Sequence, residues 1–176
     1  IRDEVESRGL GDVYKRQEMN RFSDLILYNL EAGEAVLTDN NDIRIYTDGK
    51  AKFRALIEEM KQARKYIHLQ YYIIRNDELW QEIEKVLIQK AREGVQVRVL
   101  FDSMGCRTMH NRDWERLEAE GIMVAEFFPA LLGQLQLRVN YRNHRKIVVI
   151  DGRIGFVGGF NVGREYLGRD KKFGYW

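Results

Sequence analysis

Apolar positions along the chain recur with two different periods. Phe53, Leu56, Ile57 and Met60 follow the i, i+3, i+4, i+7 spacing, which predicts a helix from about Lys50 with one buried face. Residues 66–74 are β-branched and aromatic and predict a strand. Asn76 and Asp77 are good caps for a second helix, with Leu79, Ile83, Val86 and Leu87 facing inward and Gly94 at its end. A strand over residues 95–101 follows, then a helix holding Trp114 and Leu117, closed by Gly121 before a strand over 122–124. Upstream, residues 35–37 and 43–46 read as two short strands separated by the turn residues 39–42.

Strands alternating with helices of this length imply βαβ units. The expected fold is α/β, a mixed and mainly parallel sheet flanked by helices. Ligands of such sheets bind beyond the carboxyl ends of the strands, which points to residues 102–105 and to those following Ile74. The chemistry lies further on. His144 and Lys146 are two apart, so they share a face at the entry to the apolar run 147–150. Asp151-Gly152 supplies a tight turn, and Ile154 to Val157 can return antiparallel. Gly158 and Gly159 end that return, where backbone can approach a ligand closely and cup an anion, and Asn161 adds an amide donor. With Arg138, Arg142, Arg145 and Arg153 around it, this set supplies what a phosphodiester site needs: a nucleophile for phosphorus and donors for its charged oxygens.

Composition narrows the partners. Across 176 residues, 29 Lys and Arg face 27 Asp and Glu, and a net charge of +2 gives no reason to expect nucleic acid. A single cysteine, Cys106, excludes an internal disulfide, and no Cys/His cluster has zinc spacing, so neither metal nor cofactor is expected. No apolar run approaches the ~20 residues that span a bilayer. Residues 1–17 hold four acids, four bases, two glycines and no apolar period, and read as a disordered or non-native leader. Residues 18–34 read as a linker or short helix, and 35–176 as the domain, cut at its aromatic carboxyl end.

The pattern His144-x-Lys146-x4-Asp151-x6-Gly158-Gly159-x-Asn161 resembles the HKD motif of the phospholipase D superfamily. Residues 66–73, 97–102, 140–146 and 159–168 are similar to bacterial cardiolipin synthases of the phospholipase D type. That resemblance implies a first phospholipase D-like half-domain that transfers a phosphatidyl group between two phosphatidylglycerol molecules, giving cardiolipin and glycerol. His144 would form a covalent phosphatidyl-histidine, with its ring neutral for attack, while Lys146 and Asn161 bind the non-bridging oxygens. Asp151 falls on the opposite strand face from His144 and is assigned to fixing the turn by hydrogen bonds. Gly158, Gly159, Asn143, Arg142 and Gln70 complete the candidate substrate-binding set.

The family site uses two HKD halves, and neither His68 nor His110 has a Lys two residues on. A second half, intramolecular or from a homodimer, is therefore expected as partner, together with anionic phospholipid at a membrane surface. The implied location is the bacterial cell membrane, anchored by segments outside this chain, and the carboxylate that orients His144 falls after Tyr175-Trp176. Two alternatives stand: an HKD-family phosphodiesterase or nuclease working as a homodimer, and a truncated half that only binds anionic lipid. His68 is expected to be a packed, hydrogen-bonded histidine. Asp102 either caps its loop or contacts the headgroup, and Cys106 and His110 lie exposed or packed in a loop.

Overall fold

The computed structural model describes residues 19–38, 41–127, 142–168 and 174, which fall into two compact units dividing after Ile45. Among its described residues the first carries the helix α1 (Ser23–Gly33), with no buried residue, closed by Glu34 in the left-handed region at φ 51°. Neither short strand expected beside it forms. Residues 34–38 and 41–46 are irregular, and Ile43 and Ile45 are 80% and 87% exposed. An isolated two-stranded hairpin is marginal in water, and strand-forming residues alone do not secure so short a ladder.

The second unit begins with α2 (Gly49–Lys61), capped by Asp48, whose carboxylate accepts the Ala51 N–H at 2.6 Å. Phe53, Leu56, Ile57 and Met60 form its buried stripe, as their spacing predicts. β1 (Tyr66–Tyr71) alternates cleanly: Ile67, Leu69 and Tyr71 are buried, whereas Tyr66, His68 and Gln70 are partly exposed. Asp77 caps α3 (Glu78–Arg92) by accepting from the Leu79 and Trp80 N–H groups. Then come β2 (Gln96–Asp102), α4 (Asn111–Ala119) and β3 (Met123–Phe127). A hairpin of β4 (Ile147–Ile150) and β5 (Ile154–Val157) follows, and a 3-10 turn over Arg164–Leu167 ends the described core.

The sheet is mixed, ordered β3-β2-β1-β4-β5. β1 pairs parallel with β2, and β2 with β3, whereas β4 lies antiparallel to both β1 and β5. Leu69 sits between Val99 and Val148 at the centre of the sheet, and all three are buried. Helix side chains cover this layer, with Phe101 stacked on Trp114 at 4.0 Å between ring centroids and Trp80 meeting Trp114 edge-on.

The antiparallel placement of β4 decides where function can sit. Because β4 runs against β1 and β2, its amino end lies at the same rim as their carboxyl ends. Residues 72–76, 102–106, 142–146 and 158–163 therefore gather along one edge. The gathering is tied by backbone bonds: Val162 N–H donates to Ile73 O, Arg75 N–H to Val162 O, and Gly158 N–H to Lys146 O.

Candidate phosphoryl-transfer site

At that rim β4 has not yet begun its ladder, so His144 and Lys146 occupy the irregular lead-in rather than the strand itself. They nevertheless converge. Lys146 Nζ lies 3.0 Å from His144 Nδ1 and donates to the His144 carbonyl oxygen at 2.6 Å. His144 is exposed, whereas Lys146 is 6% exposed, its stem continuing the buried row of Val148 and Ile150. Desolvation by burial holds the Lys146 ammonium below the ordinary lysine range. A protonated lysine can only donate, so Nδ1 accepts here and a neutral His144 ring carries its proton on Nε2.

One wall of the pair is Tyr72, which follows the last residue of β1. Its ring centroid lies 4.5 Å from that of His144 at a 49° tilt, and Lys146 Nζ lies 5.3 Å from it. Tyr72 escaped the sequence reading because alternation groups it with His68 and Gln70 and the expected strand runs on to residue 74, whereas β1 stops at Tyr71. On the opposite side, a side chain on Gly158 or Gly159 would meet no atom of the described residues within 4 Å, so among those residues neither packing nor a positive φ demands glycine at either place. The Gly158 N–H is committed to Lys146 O, whereas the Gly159 N–H has no acceptor among the described residues.

Asp102 ends β2 as a fully buried carboxylate. Oδ1 accepts the Met104 N–H at 2.9 Å and Oδ2 accepts the Asn143 N–H at 3.0 Å, while Arg142 Nη1 lies 3.8 Å from Oδ1 and donates to Ser103 Oγ. Of the two roles left open for Asp102, capping its loop is the one the bonds describe. Arg142 and Asn143 are thus drawn to the rim. Cys106 is buried; Ile74 N–H donates to its sulfur, and burial pushes the thiol up to about 12.

The remaining candidates are engaged in other ways. The Asn161 amide is buried and engaged, accepting from Ile73 N–H through Oδ1 and donating to Tyr166 Oη through Nδ2. Gln70 pairs across the ladder with Ile147, and no hydrogen bond or ring contact joins it to His144 or Lys146. Asp151 lies at the other end of β4, about 16 Å from Lys146 at the usual strand rise. Its carboxylate accepts the N–H groups of Arg64, Lys65 and Tyr66 at 2.8, 2.8 and 2.9 Å. Desolvation acts to raise its pKa, but the three backbone bonds and the Lys65 charge outweigh it and hold the carboxyl below its usual range. Arg153 shares that distant turn, and Arg138 lies outside the described residues. His68 is packed, stacked on Tyr66 at 4.5 Å with Nε2 3.4 Å from Gln96 Oε1.

A protein-family model described as "Cardiolipin synthase, PLD-like domain" matches residues 56–172, which include both ends of β4 and the whole rim. The chain belongs to this family. Among curated proteins it is 48% identical over 163 residues to a cardiolipin synthase of Oceanobacillus iheyensis, covering 93% of this chain and 34% of that protein. It is 51% identical over 153 residues to the major cardiolipin synthase ClsA of Bacillus subtilis, covering 87% and 32%. The chain therefore spans about a third of the length of the curated cardiolipin synthases it matches. Among solved structures, NucT from Helicobacter pylori superposes with a TM-score of 0.51 at 17% identity, over 68% of this chain and 72% of that one. At that identity the likeness speaks for the PLD-like fold alone. No helix among the described residues is long and apolar enough to cross a membrane.

Proposed function

We propose that the chain is the first of two catalytic halves of a phospholipase D-type cardiolipin synthase. The observation that carries this reading is the His144–Lys146 pair, 3.0 Å apart and bordered by an open glycine edge. His144 attacks the phosphorus of one phosphatidylglycerol, the bond from phosphorus to the headgroup glycerol oxygen breaks, and glycerol leaves after gaining a proton. A hydroxyl of a second phosphatidylglycerol then attacks the phosphatidyl-histidine, giving its proton to the group that had protonated the leaving glycerol. Cardiolipin forms and the imidazole is restored. Lys146, held by its buried stem, serves the non-bridging oxygens, and the Gly159 N–H adds a second donor.

Two parts of the cycle call for groups from the second half or from the rest of the protein. The leaving glycerol oxygen needs a general acid, the role of a second histidine. Attack through Nε2 also needs that nitrogen free of its proton, so an acceptor must replace Lys146 at Nδ1; a carboxylate suits that place. Gln70, Arg142 and Asn143 serve the headgroup side. Asn161 serves chiefly by bracing residues 161 and 73 together, and Asp151 by fixing the far turn. The substrate sets the location: a bacterial membrane surface carrying anionic phospholipid.

The test is the full-length protein, with and without His144→Ala, offered phosphatidylglycerol vesicles and, separately, plasmid DNA. Cardiolipin and glycerol from the wild type, with a phosphatidyl adduct trapped only when His144 is present, support the reading. DNA cleavage without lipid product would replace it by a nuclease, and lipid binding without turnover by a lipid-binding half.

A further inference from the structure

His144 stands on a segment, residues 142–146, that has no regular structure. Arg145 N–H bonds Asn143 Oδ1 and Lys146 Nζ bonds His144 O within it, while Arg142 donates to Ser103 Oγ and lies 3.8 Å from Asp102 Oδ1. Among the described residues, one hydrogen bond ties the backbone of residues 143–145 to another element: Asn143 N–H to Asp102 Oδ2. The same loop reaches the other wall of the site. A Cβ on Gly105 would lie 1.9 Å from the Tyr72 carbonyl oxygen, so the loop backbone presses directly on Tyr72, and Cys106 Sγ lies 3.7 Å from the same oxygen. Tyr72 in turn packs its ring on His144.

We propose that Asp102 is a positioning residue for the nucleophile, and that the loop 102–106 is a clamp setting His144 against Tyr72 and Lys146. The inference rests on the reading of His144 as the attacking group and extends it to a residue that touches no substrate. A buried carboxylate is costly unless every lone pair is used, and ending a strand does not require one. Here its two oxygens do different jobs. Oδ1 folds the loop back through Met104, and Oδ2 holds the residue before His144. An amide cannot do both, since it has a single acceptor oxygen and its nitrogen would face an N–H.

The experiment is Asp102→Asn in the full-length protein, read by hydrogen–deuterium exchange and by steady-state kinetics on phosphatidylglycerol vesicles. Exchange over residues 142–146 should quicken by about tenfold while β1 and β2 keep their protection. The kcat should fall about 10–100-fold, the cost of a misplacement near 1 Å, with KM within roughly threefold of the wild type. Gly105→Ala leaves the carboxylate in place and displaces Tyr72 instead, and should show the same kcat-selective loss. An unchanged kcat, or unchanged exchange over 142–146, would overturn the proposal. So would uniformly faster exchange through β1 and β2, or loss of the fold, because Asp102 would then hold the domain rather than the segment. Should the wild type transfer no phosphatidyl group, the lipid reading fails while the exchange measurement still decides on the clamp.

Discussion

The two ends of β4 are built on opposite terms. At the Asp151 end the carboxylate meets three backbone N–H groups, and Asp151 and Gly152 take positive φ values of 55° and 69° to turn the hairpin. Polar capacity there is spent inside the protein. At the Lys146 end, among the described residues, His144 is exposed, the Gly159 N–H has no acceptor and nothing crowds the two glycines. A strand of four residues thus joins an anchor to the rim that carries the proposed nucleophile, and the three letters of one short motif divide between them. Motif membership therefore does not imply a shared place in the site.

The sharpest way to break this contrast is to remove the nucleophile. His144→Ala should lower kcat of the full-length enzyme by about 10³–10⁴-fold or more, with Tm unchanged because the side chain is exposed. Activity retained after that change would void the division. Lys146→Met keeps most of the buried stem and deletes the charge. A loss of about 10²–10³-fold in kcat is expected, with little change in thermal stability.

Asp151→Ala should behave in the reverse sense. Losing a charged acceptor for three N–H groups should cost about 2–3 kcal/mol in denaturant unfolding, while kcat per folded molecule stays near the wild type. The pH sense follows from its lowered pKa. Asp151 contributes its stability above the unfolded carboxyl range and gives it up as pH falls through the depressed folded value, so the wild type should lose more stability on acidification than Asp151→Ala.

The smallest effect concerns a second desolvated lysine. Lys52 Nζ donates to Tyr71 Oη at 2.6 Å and lies 3.8 Å from the Phe53 ring centroid, and burial lowers its pKa to about 7. Below pH 7 both folded and unfolded chains hold that proton, and the fold bears the whole cost of the buried charge. Between about 7 and the ordinary lysine value the unfolded chain binds more protons, so stability rises with pH. Lys52→Met should flatten the rise, as read from denaturant midpoints between pH 7 and 9.

Much of this architecture could be read from the chain because its signals are local. Phe53, Leu56, Ile57 and Met60 carry the helical period, Asp77 is a cap by its chemistry, and Gly94 and Gly121 end their helices at φ 87° and 80°. The proximity of His144 and Lys146 was legible for the same reason, although they precede the ladder rather than join it. What was illegible depended on contacts between distant segments. The segments 35–37 and 43–46 have the residues of strands yet stay irregular. Asp102 could be placed at a strand end but not joined to Asn143, and Tyr72 gave no sign of meeting a ring 72 positions later. Asn161 looked like a free donor until Ile73 and Tyr166 were seen to occupy it.

Gly105 has an outcome for how such a chain can change over generations. Its backbone leans so closely on the Tyr72 carbonyl that even a methyl group would have to shove that carbonyl aside. The front of the rim, where no described residue crowds Gly158 or Gly159, leaves room for larger or differently charged side chains. The back does not, and diversification of this surface must proceed from the solvent-facing side alone.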